Sequence, residues 1–416
     1  MAPVLDRAIA EAVLRDVVAA CDPAARVREA LVEPGIAARL AGRRRLGIAI
    51  GKAALAMARG AGEVAEGIAV LPAGGGGELP AGWRLMAATH PVPDDRSVAA
   101  GEALRALVRC AGDGDVVLAL LSGGASALAE LPVTRLDELV ATVRQVMAAG
   151  APIDEINAVR GALSQIKAGR LALASAAPVV TLAVSDVIGD SLAVIGSGPT
   201  VGPWLASPGI AVDDGAAATW QRARAVLQRL GIAEPAALAV EPPHRQVTRT
   251  DQAAVIAPMA SAAHAAVRSL TARGLTPHLI EAPMAGDVSE VADRLAAHAG
   301  APVVAWGEPT VRVPAMHGAG GRAQQLALLL AHRLRGSSRG AFLVGTDGID
   351  GPPPPGRPSP AGAWVDGATW DAIAAAGIDP AAALAACDAG TALAAAGALV
   401  VTGPTGINHA DLLLLG

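Results

Sequence analysis

The residues best suited to chemistry lie at 185–200, in the stretch SDVIGDSLAVIGSGPT. Asp186 and Asp190 follow an apolar run at 178–184, and a loop of Gly196, Ser197, Gly198, Pro199 and Thr200 closes the segment. The run has the length and composition of a buried strand. Carboxylates at the carboxyl end of a strand can take a proton or hold a metal, and small loop residues leave backbone N–H groups open to a phosphate. The competing reading is that the two acids cap a turn or a helix start. Two acids beside a Gly/Ser/Thr loop favour function over capping.

Cations that could face those acids are few. Of 33 Lys and Arg residues only Lys52 and Lys167 are lysine, and the chain has only two asparagines, Asn157 and Asn408. All four sit in glycine-rich motifs. A compact ammonium with a movable proton is not interchangeable with a guanidinium, so these positions are candidates for sites where arginine fails. Gly51 and Lys52 end a strand at 45–50 and open a helix, a turn suited to an anion. The spacing is not that of a Walker A loop, and Ala53 stands where Ser or Thr would be needed. Ser122, Gly123, Gly124 and Ser126 form a second strand-to-helix loop of the same kind. Asn157, Arg160, Ser164, Lys167 and Arg170 recur every three or four residues; on one helix they would share a face for a polyanion. His90, beside Pro91, reads as a structural turn residue.

The positioning elements are strands and helices in alternation. Apolar strands are expected at 45–50, 67–72, 115–121 and 178–184, each followed by a glycine-containing loop. A helix is expected at 251–273, then strands at 276–280, 302–306, 341–344 and 398–401. The later loops carry Glu308, Arg322, Asp347, Asp350 and Asn408. Asp347 and Asp350 read either as Asp-Gly turns or as contacts to a metal or hydroxyl. The pattern specifies an α/β protein whose strand-end loops gather at one edge of a doubly wound sheet. The irregular stretch at 235–250 marks a boundary, giving regions 1–240 and 241–416.

Composition narrows the partners. A net charge of -5 without a basic run argues against nucleic acid or an anionic membrane. No apolar run reaches the roughly 18 residues of a membrane span. Three distant cysteines give neither a disulfide framework nor a zinc motif, so a reduced, cytoplasmic setting is expected. A homodimer stays open. On the residues alone, the chain handles phosphate.

Taken together, GKAA at 51–54, THPVPD at 89–94, SGGASAL at 122–128, the Asn157 motif, SDVIGD with SGPT, GTDGIDG at 345–351 and TGPTG at 402–406 resemble the class II glycerate 2-kinases. These carry a C-terminal MOFRL domain and are also labelled hydroxypyruvate reductase-like. The resemblance runs through almost the whole chain. It implies a Rossmann-like N-terminal domain, a C-terminal MOFRL α/β domain and an active site in the cleft between them. It also implies ATP-dependent phosphorylation of D-glycerate to 2-phosphoglycerate with Mg²⁺. By resemblance Lys52 matches a required lysine, and an aspartate of the SDVIGD motif a required acid, with Asp190 preferred to Asp186; either could hold the metal. Ser122, Gly123, Gly124, Ser126, Asn157, Arg160, Lys167, Arg170, Gly198, Thr200, Glu308, Arg322, Asp347, Asp350 and Asn408 are then expected to bind substrate or nucleotide.

Several positions depart from the family pattern. Ala125 replaces a glycine, Gly161 and Ala162 a basic pair, and Ala323 and Gln325 an asparagine and a glutamate. These leave the hydroxy acid open. NAD(P)H-dependent hydroxypyruvate reduction is the alternative, but no dinucleotide fingerprint is present. A kinase for a related hydroxy acid, or a non-catalytic nucleotide or sugar-acid binder, is also compatible.

Overall fold

The structure, a computed structural model, describes residues 4–298, 300 and 302–416. Contacts divide the chain into two compact units, one of residues 23–258 and one combining the first 22 residues with 259–416.

The first unit is built on strands β1 (Arg44–Ile50), β2 (Glu66–Pro72), β3 (Trp83–Ala88), β4 (Asp115–Leu121) and β5 (Val179–Val184). Two short strands, β6 (Val212–Asp213) and β7 (Gln246–Val247), pair with each other, and β8 (Gln252–Ala257) completes the main sheet. The order is β3-β2-β1-β4-β5-β8 and every pairing is parallel. Helices must then cover both faces, so β4 and β5 are buried along their whole length. One face packs Ile48, Ile68 and Val117 under the helix Asp95–Arg109; the other packs Ala49, Leu118 and Leu182 under the helices Pro23–Val32 and Ala54–Ala61. This strand order reverses direction between β1 and β4, the point where open α/β sheets form a crevice.

The second unit contains β9 (His278–Leu279), β10 (Val303–Gly307), β11 (Gly340–Gly345), β12 (Gly362–Asp366), β13 (Leu399–Val400) and β14 (Asp411–Leu415). Its order is β13-β12-β11-β14-β10-β9. β14 runs antiparallel to both neighbours, with Asp411 opposite Gly307 on one side and Gly345 on the other. The helix Arg322–Arg333 is buried on one face of this sheet.

Two expectations are corrected. Residues 252–257 are not helical: the apolar run Ala253–Ala257 adds to β5 as a parallel strand, and the helix begins only at Ser261. By its contacts β8 belongs with the first sheet, so the compact units meet at 258/259. The last strand is β14, not 398–401, which supplies only the edge strand β13.

Candidate active site

Two loops meet at the switch point of the first sheet. Ser122 donates its amide to Ile50 O at 3.0 Å, Lys52 donates its amide to Gly123 O at 2.9 Å, and Ala53 N–H reaches Ser122 Oγ at 3.1 Å. Gly51 has φ +131°, and a Cβ there would lie 2.1 Å from Ser122 Oγ. Only glycine fits between the loops. Ser122 thus acts as a hydrogen-bonding link, while the Lys52 side chain is left exposed at the start of the helix Ala54–Ala61.

Asp186 enters from the end of β5. A Cβ on Gly123 would fall 2.0 Å from Asp186 Oδ2, so the carboxylate lies directly against the loop backbone. His90 Cδ2 and Lys52 Cγ lie 3.1 Å and 3.5 Å from the corresponding position on Gly124. Burial, and then the Lys52 charge, lower the His90 pKa, which keeps the imidazole neutral near pH 7. An ammonium, a neutral imidazole and a carboxylate therefore surround one Gly-Gly backbone. His90 is a turn residue, as its Pro-rich context indicates, but the turn delivers it to this cluster. Asp190 sits instead in the turn after β5, with φ +51° and its amide donating to Val187 O at 3.0 Å.

The 196–200 loop is tied to the same region. Ser197 donates to Asn157 Oδ1 at 2.8 Å and also hydrogen-bonds Ser126 Oγ at 2.8 Å. Gly198, at φ +55°, accepts the Gly169 amide through its carbonyl. Thr200 bonds Thr181 at 2.8 Å inside the core. Ala125 takes its expected glycine's place with its methyl packed on Gly196, where a second Cβ would approach to 2.9 Å.

The expected cationic face does not form on one helix. Helix Ile153–Ala162 ends before Ser164, and a separate turn, Arg170–Leu173, follows. Lys167 is 1% exposed: it donates to Ala129 O at 2.7 Å and lies 3.8 Å from Glu130, an acid distant in sequence. Burial pushes its pKa down and the Glu130 charge opposes that shift. Ser164 donates to the same carboxylate. Arg170 is directed to the carbonyls of Gly161 and Ser164, and Arg160 lies against Met147 Sδ at 3.9 Å. At Gly161 a side chain would be tightly held, since Thr219 Cγ2 and Ala168 Cβ stand only 3.1 and 3.2 Å from where its Cβ would be.

The second unit holds its own cluster. Arg322 donates from Nε to Asp411 Oδ2 at 2.7 Å, and from Nη2 to Asp411 Oδ1 at 3.2 Å and Glu308 Oε1 at 2.7 Å. The end of β10, the first residue of the helix Arg322–Arg333 and the start of β14 create this grouping. Burial opposes the Arg322 charge, but Asp411 and Glu308 outweigh it and hold its pKa above the ordinary value. Burial pushes the Asp411 carboxyl up to about 7, against the pull of Arg322. Asp350 caps the helix Arg322–Arg333 by accepting the amides of Ala323 at 3.1 Å and Gln324 at 2.8 Å. Burial raises its pKa and those amides oppose the rise. Asp347 accepts the Ile349 amide at 3.1 Å, as an Asp-Gly turn would, and Asn408 is half-buried in the segment leading to β14. Gln325 replaces an acid with a donor, and its Nε2 bonds Leu384 O at 2.8 Å. Sequence reading did not single out Asp411 as a binding residue; its signal, an acid opening an apolar run, became visible only once that run proved to be a strand.

Among the described residues no three His, Cys, Asp or Glu side chains are placed to hold a metal by themselves, and no helix is long and apolar enough to cross a membrane.

Residues 9–241 match a domain of unknown function, DUF4147, and residues 301–411 match the MOFRL family. A protein of Agrobacterium vitis with a provisional hydroxypyruvate reductase name is 38% identical over 82% of this chain and 80% of its own length. The D-glycerate 2-kinase of Thermotoga maritima is 34% identical over 88% and 89%. The crystal structure of a glycerate kinase from that organism superposes with a TM-score of 0.86, covering 98% of both chains at 31% identity.

Proposed function

Because the chain belongs to the DUF4147–MOFRL family, whose named members include glycerate 2-kinases, we propose that it transfers the γ-phosphoryl group of ATP to D-glycerate, giving 2-phosphoglycerate. The observation that carries this reading is the gathering of Lys52, His90 and Asp186 around Gly123 and Gly124 at the switch point of the first sheet. Phosphoryl transfer requires positioning and charge stabilisation more than covalent chemistry. Lys52 places a point charge where transferring oxygens would sit, beside backbone N–H groups of a helix start. Asp186 is the acid nearest that loop and takes the proton of the attacking hydroxyl, in preference to Asp190. Neutral His90 accepts or donates a hydrogen bond to the acceptor.

Mg²⁺, held chiefly by nucleotide phosphates and one or two carboxylates, would neutralise phosphate charge, with Asp190 the acid left for it once Asp186 serves as base. In the second unit, Arg322 offers a guanidinium held by Asp411 and Glu308 to an anionic group, with Asp350 capping the start of its helix and Asp347 and Asn408 as further binding candidates from the neighbouring loops. A cytoplasmic setting, without nucleic-acid or membrane partners, belongs to the same reading and rests on the charge balance and cysteine spacing.

Incubation of small hydroxy acids with ATP and Mg²⁺, with ³¹P and ¹³C NMR locating the new ester, tests it. Phosphate on carbon 2 of glycerate is expected; no phosphorylation of any acid refutes it. Hydroxypyruvate reduction is the second reading, favoured by the name of the 38% identical relative. NADH oxidation with hydroxypyruvate, without glycerate phosphorylation, would establish it.

A further inference from the structure

A cavity of about 330 Å³ lies in the first unit, and it shares no residue with the Lys52, His90 and Asp186 cluster. Three arginines, Arg105, Arg170 and Arg245, line it, with a single acid, Asp214. Among the described residues none of the three arginines lies within ion-pair distance of an acid. Arg105 donates to the neutral Gln165 Oε1 at 2.6 Å, and Arg170 donates to two backbone carbonyls. Arg245 is exposed, and its own carbonyl accepts the Asp214 amide at 2.9 Å, which fixes its backbone beside the acid. Asp214 in turn accepts the Ala216 amide at 3.0 Å, so part of its charge is already directed away from the arginines.

Three guanidinium groups against one carboxylate leave a positive cavity. Arg170 is also largely desolvated, and burial lowers its pKa against the pull of Asp214. A buried, incompletely compensated cation favours a counter-anion. Planar guanidinium forks match phosphate oxygens in paired hydrogen bonds. Pro242 and Pro243 also line the cavity, rigid and apolar, suited to the carbon body of a ligand rather than to water. The size sits at the lower end of small-molecule pockets, roughly 300–1,000 Å³.

We propose that this cavity is a second, non-catalytic binding site for a small phosphomonoester. The phosphate sits among Arg105, Arg170 and Arg245, and the carbon body lies on Pro242 and Pro243. The site does not depend on the kinase reading, because none of its residues takes part in the proposed phosphoryl transfer.

The test is calorimetric titration of the full chain with glycerol 2-phosphate, in a Lys52→Ala background that disables the Lys52 loop. Saturable binding of one equivalent is expected. Adding Arg245→Glu, or separately Arg105→Gln, should weaken it by about tenfold or more. Circular dichroism checks that both double variants fold, and Arg245→Gln substitutes if charge reversal lowers the melting temperature. Absence of saturable binding in Lys52→Ala overturns the proposal, and so does unchanged affinity in the folded double variants.

Discussion

Arg322 is gripped by Asp411 through two hydrogen bonds, of 2.7 and 3.2 Å, from the first residue of a strand buried between two others. The Asp411 carboxyl is pushed up to about 7 by burial. An unfolded Asp titrates near 3.9. Between those values the folded state binds the extra proton, so the stability contributed by this group is full below about pH 4 and is lost as pH rises through about 7. Asp411→Asn removes that slope. Thermal melts from pH 4 to 8 should show a flatter profile for the variant; an unchanged slope would mean that Asp411 is an ordinary carboxylate.

Lys52 is exposed beside the Gly123–Gly124 loop and does not support the core. Lys52→Ala should lower kcat by about 10²–10³-fold, the scale of losing one charge-stabilising donor. Its stability should stay within about 0.5 kcal/mol of the parent. Steady-state kinetics beside a melting curve check both halves.

Lys167 should behave in the opposite way. Lys167→Ala leaves Glu130 buried without its cation and should cost about 3–5 kcal/mol in denaturant unfolding. The pair Lys167→Met with Glu130→Gln should recover much of that loss. If the double variant instead folds well but loses nucleotide affinity, Lys167 is a ligand contact rather than a support.

Gly123→Ala would place a methyl 2.0 Å from Asp186 Oδ2. Displacement of a reacting group by about 1 Å costs about 10²-fold in rate. A comparable fall in kcat is expected for Asp186→Asn, and a smaller one for Asp190→Asn. Equal losses at the two acids would remove the distinction drawn from the Gly123 contact.

The first sheet was readable because its inner strands are unbroken apolar runs ending in glycine, and a parallel sheet needs both faces buried. That pattern pointed to the loops of Lys52, Ser122 and Gly123, but the family resemblance favoured Asp190, whereas the acid lying against Gly123 is Asp186. It failed at 252–257, where alanine-rich sequence on either side of the turn hides the change from strand to helix. The spacing of Asn157, Lys167 and Arg170 suggested one helical face, but the chain leaves the helix before Ser164, and Glu130 is too distant in sequence to be seen as the partner of Lys167. Scarcity of lysine thus marked two residues with opposite roles, one exposed at the loop and one buried as a support. His90 was read as a turn and is one, yet only the packing of Gly124 shows where that turn leads.

The two units also differ in when they can be completed. Residues 23–258 are contiguous, so that unit can close while the chain is still being made. The other unit needs helix Arg7–Ala20, which packs on helix Ser261–Ala272, and β14, which joins β9–β10 to β11–β13. Until residues 411–415 are synthesised, β10 and β11 each present an unsatisfied edge and Arg322 lacks its anchor. Before that pairing forms, the two open strand edges are the places where this unit is most exposed to pairing with another chain.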